Sequence, residues 1–282
     1  MIYALATMSA LMFALATALQ HKSAQKAGVE KAMRPALLFF LVLDPMWLVG
    51  IGADVVGLFF QFAALVNGSV LVVQAILAIG LVFSLVFSAV LHNIRLKSSE
   101  LVLSAVTALA LVGFLSIGVP DRSVDKSTLT SWFVVAAATA AVTVVLTGFA
   151  RTASRNHRTF LLGVSAGVLH GFTVSLSKVV AQNFVAHGVL KILLDPHLWI
   201  LAVMGIADIL VLQSAFQSGP LRVSLPIISV IEPVIAIGIG IVVLGETLSE
   251  TALGAAIAVL SLGVMLLGVW GLARVAAEEI IA

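Results

Sequence analysis

Three acids stand in stretches otherwise built for hydrocarbon: Asp54, Asp208 and Glu232. Asp54 is eight residues into the apolar window 46–66, Asp208 eleven into 197–217, and Glu232 twelve beyond Pro220. At about 1.5 Å per residue these depths are roughly 12, 17 and 18 Å. A hydrocarbon core is about 30 Å thick, so all three lie near its middle. A charge there costs at least about 2.5–3.5 kcal/mol on insertion scales. A single intramembrane acid can be kept protonated and donate one hydrogen bond between helices. Three in one small protein point to binding of a cation or exchange of protons, because no Lys or Arg lies mid-span to neutralise them. Lys178 lies near a helix end, where a lysine snorkels to the interface.

Further polar residues accompany the acids. Gln61 follows Asp54 by seven residues, two helical turns, and so shares its face. Gln213 holds the matching place after Asp208. Both suit a polar path or interhelical hydrogen bonds. His170, mid-way along 160–181, is suited to relay protons, to contact a solute or simply to pack. It has no HxxxH or HxxE partner of the kind that holds a transition metal. Gly163, Gly167 and Gly171 recur every fourth residue beside it, a close-packing helix face. Pro226 and Pro233 interrupt the hydrogen-bond ladder around Glu232; freed carbonyls there suit an ion, and a plain kink is the simpler reading.

The elements that must position these residues are membrane helices. Of 282 residues, 61% are hydrophobic and 10% charged, too few charges to clothe a soluble domain. Nine apolar windows fit spans: 2–20, 46–66, 68–91, 98–118, 129–149, 160–181, 197–217, 220–243 and 250–272. Pro35–Leu43 is apolar but short and stops at Asp44-Pro45; it reads as an interfacial or re-entrant piece, or an extension of the second span. The first window lacks a basic region before it and is followed by His21, Lys22 and Lys26, the pattern of a retained helix that starts outside. From that start the inside loops hold Lys22, Lys26, Lys31, Arg34, Arg95, Lys97, Arg151, Arg155, Arg158, Arg222 and Arg274. The outside loops hold Arg122, Lys126 and Lys191, a clear positive-inside bias that leaves the C-terminus inside and the acidic loop 245–250 outside.

The chain also repeats itself. Asp44-Pro45-Met46-Trp47 opens one span and Asp195-Pro196-His197-Leu198-Trp199 another. The acids Asp54 and Asp208 follow, then Gln61 and Gln213, then the breaks Asn67-Gly68 and Gly219-Pro220. Val90-Leu91-His92-Asn93 parallels Val243-Leu244-Gly245-Glu246, and Gln20-His21-Lys22 resembles Leu176-Ser177-Lys178. Residues 1–118 then form a first repeat, 119–159 a link carrying the helix 129–149, and 160–282 a second repeat. One span between the copies inverts the second, the architecture of secondary transporters with a midplane site.

Zero cysteines exclude disulfides, thiolate catalysis and thiolate metal sites. No nucleotide-binding loop, catalytic triad or zincin motif occurs, so neither ATP hydrolysis nor another enzyme activity is expected. The basic loops are short and scattered, unlike a nucleic-acid surface.

The stretch Gln213-Ser214-Ala215-Phe216, Gly219-Pro220, Pro226, Glu232-Pro233 and Leu244-Gly245-Glu246, followed by Gly254 and Gly263, resembles the EamA-type domains of the drug/metabolite transporter superfamily. The nine-span layout is similar to that of the NIPA-type magnesium transporters, a ten-helix fold lacking one helix. Their Trp-start helix carries Met-Gly-x-Gly-Glu-x-x-Asn-Phe; here Ile51-Gly52-Ala53-Asp54-Val55-Val56-Gly57-Leu58 keeps the acid but loses the second glycine and the asparagine. The resemblance implies alternating access without a cofactor, in a plasma (inner) membrane. The expected passenger is a small cation bound by Asp54, Asp208 and Glu232, with Gln61, Gln213 and His170 around them. Magnesium, held by the three acids, is one candidate. A proton-coupled exporter of an organic metabolite is the alternative, favoured by an aromatic cavity near Trp47, Trp199 and Phe216. A lipid-headgroup flippase or a membrane scaffold is the third. The expected partners are the bilayer and the solute, with a homodimer allowed.

Overall fold

Runs of Leu, Val, Ala and Ile too long and too poor in charge for water satisfy their backbone in the only way a single segment can, as helices. The structure, a computed structural model, describes residues 2–28, 31–67, 73, 76–116, 127–245 and 252–281. Every long regular element among them is an α-helix. In chain order these are α1 (Ile2–Lys26), α2 (Pro35–Val42), α3 (Pro45–Asn67), α4 (Gly80–His92), α5 (Ser98–Leu115), α6 (Leu129–Thr152), α7 (Arg155–Ile192), α8 (Pro196–Ser218), α9 (Leu221–Val242) and α10 (Ala252–Ile281). Gly68 of the expected Asn67-Gly68 break, Arg122, Lys126 and residues 246–250 of the acidic loop lie outside the described residues.

Five of these helices are long and apolar enough to cross a membrane, and six if the bent pair α2–α3 counts as one span. Nine spans were expected. Within the described residues the apolar helices 76–92, 98–114 and 256–272, which match the third, fourth and ninth windows, are shorter than a full crossing. The large apolar side chains of α6, such as Phe133, Val144 and Phe149, face outward, as a lipid-facing surface does.

Two Asp-Pro corners set where long helices begin. Pro45 and Pro196 open α3 and α8, where a missing N–H costs nothing. Asp44 Oδ1 accepts from Met46 N at 2.9 Å, and Asp195 Oδ1 accepts from His197 N at the same distance. Asp44 Oδ2 accepts from Ser23 of α1 at 2.8 Å and from Lys26 at 2.9 Å. Asp195 Oδ2 accepts from Asn183 of α7 at 2.7 Å. The first corner is thus pinned to α1 and the second to α7. Before the first corner, α2 meets α3 at 85° and buries Leu37 and Leu41, one turn apart, while Phe39 and Leu43 stay exposed. Before the second, α7 breaks at Gly188, whose φ of 77° suits a residue without Cβ.

Packing follows the same order in both halves. α1 packs mainly on α3 and α4; α7 packs on α8 and α9. The halves meet where α1 touches α8, where α5 lies along α10 and where α9 approaches α4 and α5. The glycine stripe of α7 does what its spacing implied. A Cβ on Gly163 would lie 3.2 Å from Ile227, on Gly167 2.7 Å from Ile231, and on Gly171 2.8 Å from Ile235. Three isoleucines spaced by four on α9 therefore seat against three glycines spaced by four on α7. α9 continues as one helix through Pro226 and Pro233. Each proline still withholds an N–H, so the carbonyls of Arg222 and Ser229 lose their usual helical donor.

Candidate functional site

The close α7–α9 seam brings His170 to Glu232, because His170 adjoins Gly171 and Glu232 lies between Ile231 and Ile235. His170 Nε2 is 4.0 Å from Glu232 Oε2, longer than a hydrogen bond and at the outer limit of an ion pair. On the other side of the ring, Nδ1 is 2.8 Å from Asp208 Oδ2 on α8. A carboxylate oxygen accepts, so Nδ1 carries the hydrogen in this arrangement. Thr173 Oγ1, one turn along α7, also reaches Asp208 Oδ2 at 3.1 Å. The other oxygen, Asp208 Oδ1, is buried without a hydrogen-bond partner.

Among the described contacts Asp54 has none with His170; the two act on each other through charge, at longer range. The Asp54 carboxylate is held by Gln20 of α1, whose Nε2 donates to Asp54 Oδ2 at 2.6 Å. The opposite end of the same amide, Gln20 Oε1, accepts from Gln213 Nε2 of α8 at 2.9 Å. Gln20 therefore joins the acid of the first half to the glutamine of the second. Gln20 and Gln213 are both buried, and Gln213 Oε1 has no partner. Asp54, Glu232 and His170 are half-buried.

Asp208 and Glu232 thus flank His170, while Asp54 is tied to Gln213 through Gln20. Gln61 joins neither group: none of the described hydrogen bonds ties it to the cluster. Sharing a helix face does not bring it close, because seven residues displace it about 10 Å along α3. The aromatic trio does not assemble either. Trp47 and Phe216 are buried, but Trp199 is exposed and donates to Leu193 O at 2.9 Å. Phe216 instead meets His21 edge-on, with ring centroids 5.9 Å apart. The expected metal shell is Asp54, Asp208 and Glu232. Among the described residues no three His, Asp or Glu side chains are placed to hold one metal ion. Asp54 and Asp208 spend an oxygen each on Gln20 and on His170 with Thr173, which splays the acids around the imidazole. Gln20 and Thr173 went unnoticed as site residues; the signals available were a buried-helix amide before His21 and a hydroxyl one turn after His170.

A second ion pair lies apart from this cluster. Glu100, fully buried in the first turn of α5, meets Arg222 Nη1 of α9 at 2.8 Å. Its other oxygen accepts from Lys97 N at 3.0 Å, half of a capping box.

No family model matches the chain, and no solved structure matches it. An uncharacterized protein of Corynebacterium glutamicum is 29% identical over 238 residues, covering 84% of this chain and 82% of that protein.

Proposed function

We propose that the protein is a secondary transporter that carries a small, positively charged or protonatable solute across the membrane and exchanges protons at the His170 cluster. The observation that carries this reading is that His170 lies between Asp208 and Glu232, the three on different helices, with Asp54 of the first half acting on it through charge. Three carboxylates against one imidazole leave room for added positive charge. The 4.0 Å gap between His170 Nε2 and Glu232 Oε2 is where that charge has the most to gain. A proton or an ammonium group settling there would bridge the two groups; its departure would restore the gap.

Rocking of one half against the other requires a contact that can open. The Gln20–Gln213 bond, a neutral hydrogen bond of about 1 kcal/mol net, is one such contact, alongside the His21 contact with Gly219 O and the buried Glu100–Arg222 pair. The matched Asp-Pro corners and the matched packing of α1 and α7 support two structurally equivalent halves. They are what the resemblance to the drug/metabolite transporter superfamily leads one to expect, and we place the chain near that superfamily, in a plasma membrane. Magnesium is not the favoured passenger, because the acids are splayed around an imidazole rather than gathered into an oxygen shell.

The test is a proteoliposome assay with an internal pH-sensitive dye. A panel of organic amines is added outside to wild type, Glu232→Gln, Asp54→Asn and His170→Gln. Expected is amine-dependent proton movement by wild type that each substitution reduces at least tenfold. Amine-driven proton flux that survives loss of all three groups sinks the reading. Magnesium entry without proton movement would return the cation reading to magnesium.

A further inference from the structure

The turn after α1 and the short helix α2 gather features that the His170 cluster does not use. α3 is 23 residues long, about 34 Å at 1.5 Å per residue, enough to cross a hydrocarbon core of about 30 Å alone. α2 meets it at 85° and so adds almost no depth. Charged groups stand at both ends of α2. Arg34 is its N-cap residue, and Asp44, just past its C-cap, pairs with Lys26 at 2.9 Å. Between them Lys31 Nζ lies 4.4 Å from the centre of the Phe40 ring. The 8 residues of α2 span only about 12 Å, so no part of the helix is far from a charge. Charged side chains settle at the membrane boundary rather than in hydrocarbon, which lays α2 flat at that level. Its outer face is apolar: Phe39 is 74% and Leu43, the C-cap, 82% exposed. Such a face suits the boundary of headgroups and acyl chains rather than water.

A basic patch adjoins the beginning of α2. Met33 N donates to Ser214 Oγ of α8 at 3.0 Å, and the Met33 side chain packs with Ala150, Leu162 and Ala215. That contact brings the turn 31–34 to the α6–α7 corner. Arg34 follows Met33, Arg151 follows Ala150, and Arg155 and Arg158 open α7 before Leu162. Arg34, Arg151 and Arg155 are exposed. None of the cations Lys31, Arg34, Arg151, Arg155 and Arg158 takes part in a described ion pair, and Arg158 Nε is buried without an acceptor. In sequence, residues 27–43 and 150–162 hold one acid, Glu30, which lies outside the described residues. The patch therefore offers positive charge and a buried donor without an acceptor, next to an apolar face at membrane level.

We propose that this face binds an anionic phospholipid of the surrounding bilayer. The headgroup phosphate sits among Lys31, Arg34 and the arginines of the α6–α7 corner, and the acyl chains lie beside Phe39, Val42 and Leu43. Clustered Lys and Arg at a membrane boundary select anionic headgroups over neutral ones, and the negative potential of such a leaflet reinforces the contact.

Two measurements on the full chain test this, and neither reads transport. The chain has no cysteine, so Phe39→Cys carries a single spin label on the exposed face of α2. In nanodiscs of phosphatidylcholine and phosphatidylglycerol, power saturation should find that label open to oxygen, shielded from a water-soluble nickel complex and within about 10 Å of the phosphates. A label as accessible to nickel as one on Lys191→Cys, or one at the bilayer centre, overturns the flat placement and the proposal with it. Native mass spectrometry from neutral detergent then counts the lipids retained from an equimolar mixture of the two. Expected is at least fivefold more phosphatidylglycerol than phosphatidylcholine on wild type, a preference lost in Arg34→Gln/Arg151→Gln and kept in Lys191→Gln at the α7–α8 corner. Both arginines are exposed, so the double variant keeps the fold, and its helix content checks that. Equal retention of the two lipids by wild type, or a preference that the double variant keeps, overturns the proposal. So does displacement of the lipid by inorganic phosphate, which marks a site for a free anion.

Discussion

Replacing Gly171 by alanine is the sharpest single perturbation of the seam that builds the cluster. The new Cβ would stand 2.6 Å from the carbonyl oxygen of Glu232 and 2.8 Å from Ile235 Cβ. Ordinary contact begins at 3.4 Å, so α7 and α9 must part by about 0.8 Å (3.4 minus 2.6) at that level. A backbone carbonyl cannot rotate away as a side chain can. Overpacking of this kind costs about 1–3 kcal/mol. The functional loss is larger in proportion, because His170 and Glu232 ride on the two helices being wedged apart. Misplacement on the order of 1 Å at a reacting centre costs about 100-fold in rate. Two other glycines, Gly163 of the stripe and Gly148 of α6, provide graded controls. Gly163→Ala meets only the Ile227 side chain, at 3.2 Å, and Gly148→Ala meets nothing within 4 Å. Reversible unfolding in mixed micelles gives stability, and the proteoliposome assay gives rate. Expected is a stability loss ordered Gly171 > Gly163 > Gly148, with transport lost at Gly171 alone of these three. If Gly171→Ala unfolds within about 0.5 kcal/mol of wild type, or harms less than Gly163→Ala, the close seam is wrong.

Three further outcomes are expected. Removing one member of the Glu100–Arg222 pair should cost about 3–5 kcal/mol, because it strands a buried charge, whereas replacing both by leucine should cost far less; a double-mutant cycle on unfolding free energy checks this. Gln20→Leu should lose about 1–3 kcal/mol by leaving Gln213 and Asp54 without their shared amide, and Gln20→Glu should not restore it; unfolding midpoints of the two variants decide. At the α7–α8 corner, burial pushes the Asp195 carboxyl up, but hydrogen bonds from His197 N, Asn183 and the His197 ring outweigh it, and the net pKa lies below the usual carboxylate value. A depressed folded pKa gives stability that is complete above the unfolded value, about 3.9, and is lost as pH falls through the folded one. Acid titration of helix content should therefore show Asp195→Asn less acid-sensitive than wild type below about pH 4.

Much of the site was legible because membrane depth is a strong filter. An acid a dozen residues into an apolar run has few bland explanations; Asp208 and Glu232 meet at His170, and Asp54 is held by Gln20. The stripe Gly163-Gly167-Gly171 announced its seam by spacing alone. Gln20 was not legible: one amide near the end of α1 has no period to betray it, and Gln213 lies far away in sequence. Gln61 misled because face and height are separate coordinates, and i to i+7 fixes only the first. The mutual placement of the acids was hidden for a related reason. Depth in each helix was readable, but the rotation that turns each carboxylate toward Gln20 or His170 depends on tertiary packing. The Asp-Pro corners were visible as repeats, and their capping role follows from Asp preceding the first helical proline.

The reach of α1 into the far half also sets a schedule for biogenesis. Gln20 finds Asp54 soon after synthesis, 34 residues later, but Gln213 is 193 residues away and the carbonyl that His21 meets, Gly219, is 198 residues away. At about 5–20 residues per second, that wait lasts roughly 10–40 s. Throughout it the nascent first half sits in the bilayer with an amide and an imidazole still seeking partners, each costly to leave bare in lipid. The insertion machinery and the proteases that survey it meet those groups before α8 and α9 arrive to cover them. A ribosome-tethered chain arrested at residue 200 should accordingly be degraded faster than one arrested at residue 245, and the replacement of Gln20 by leucine should narrow that difference.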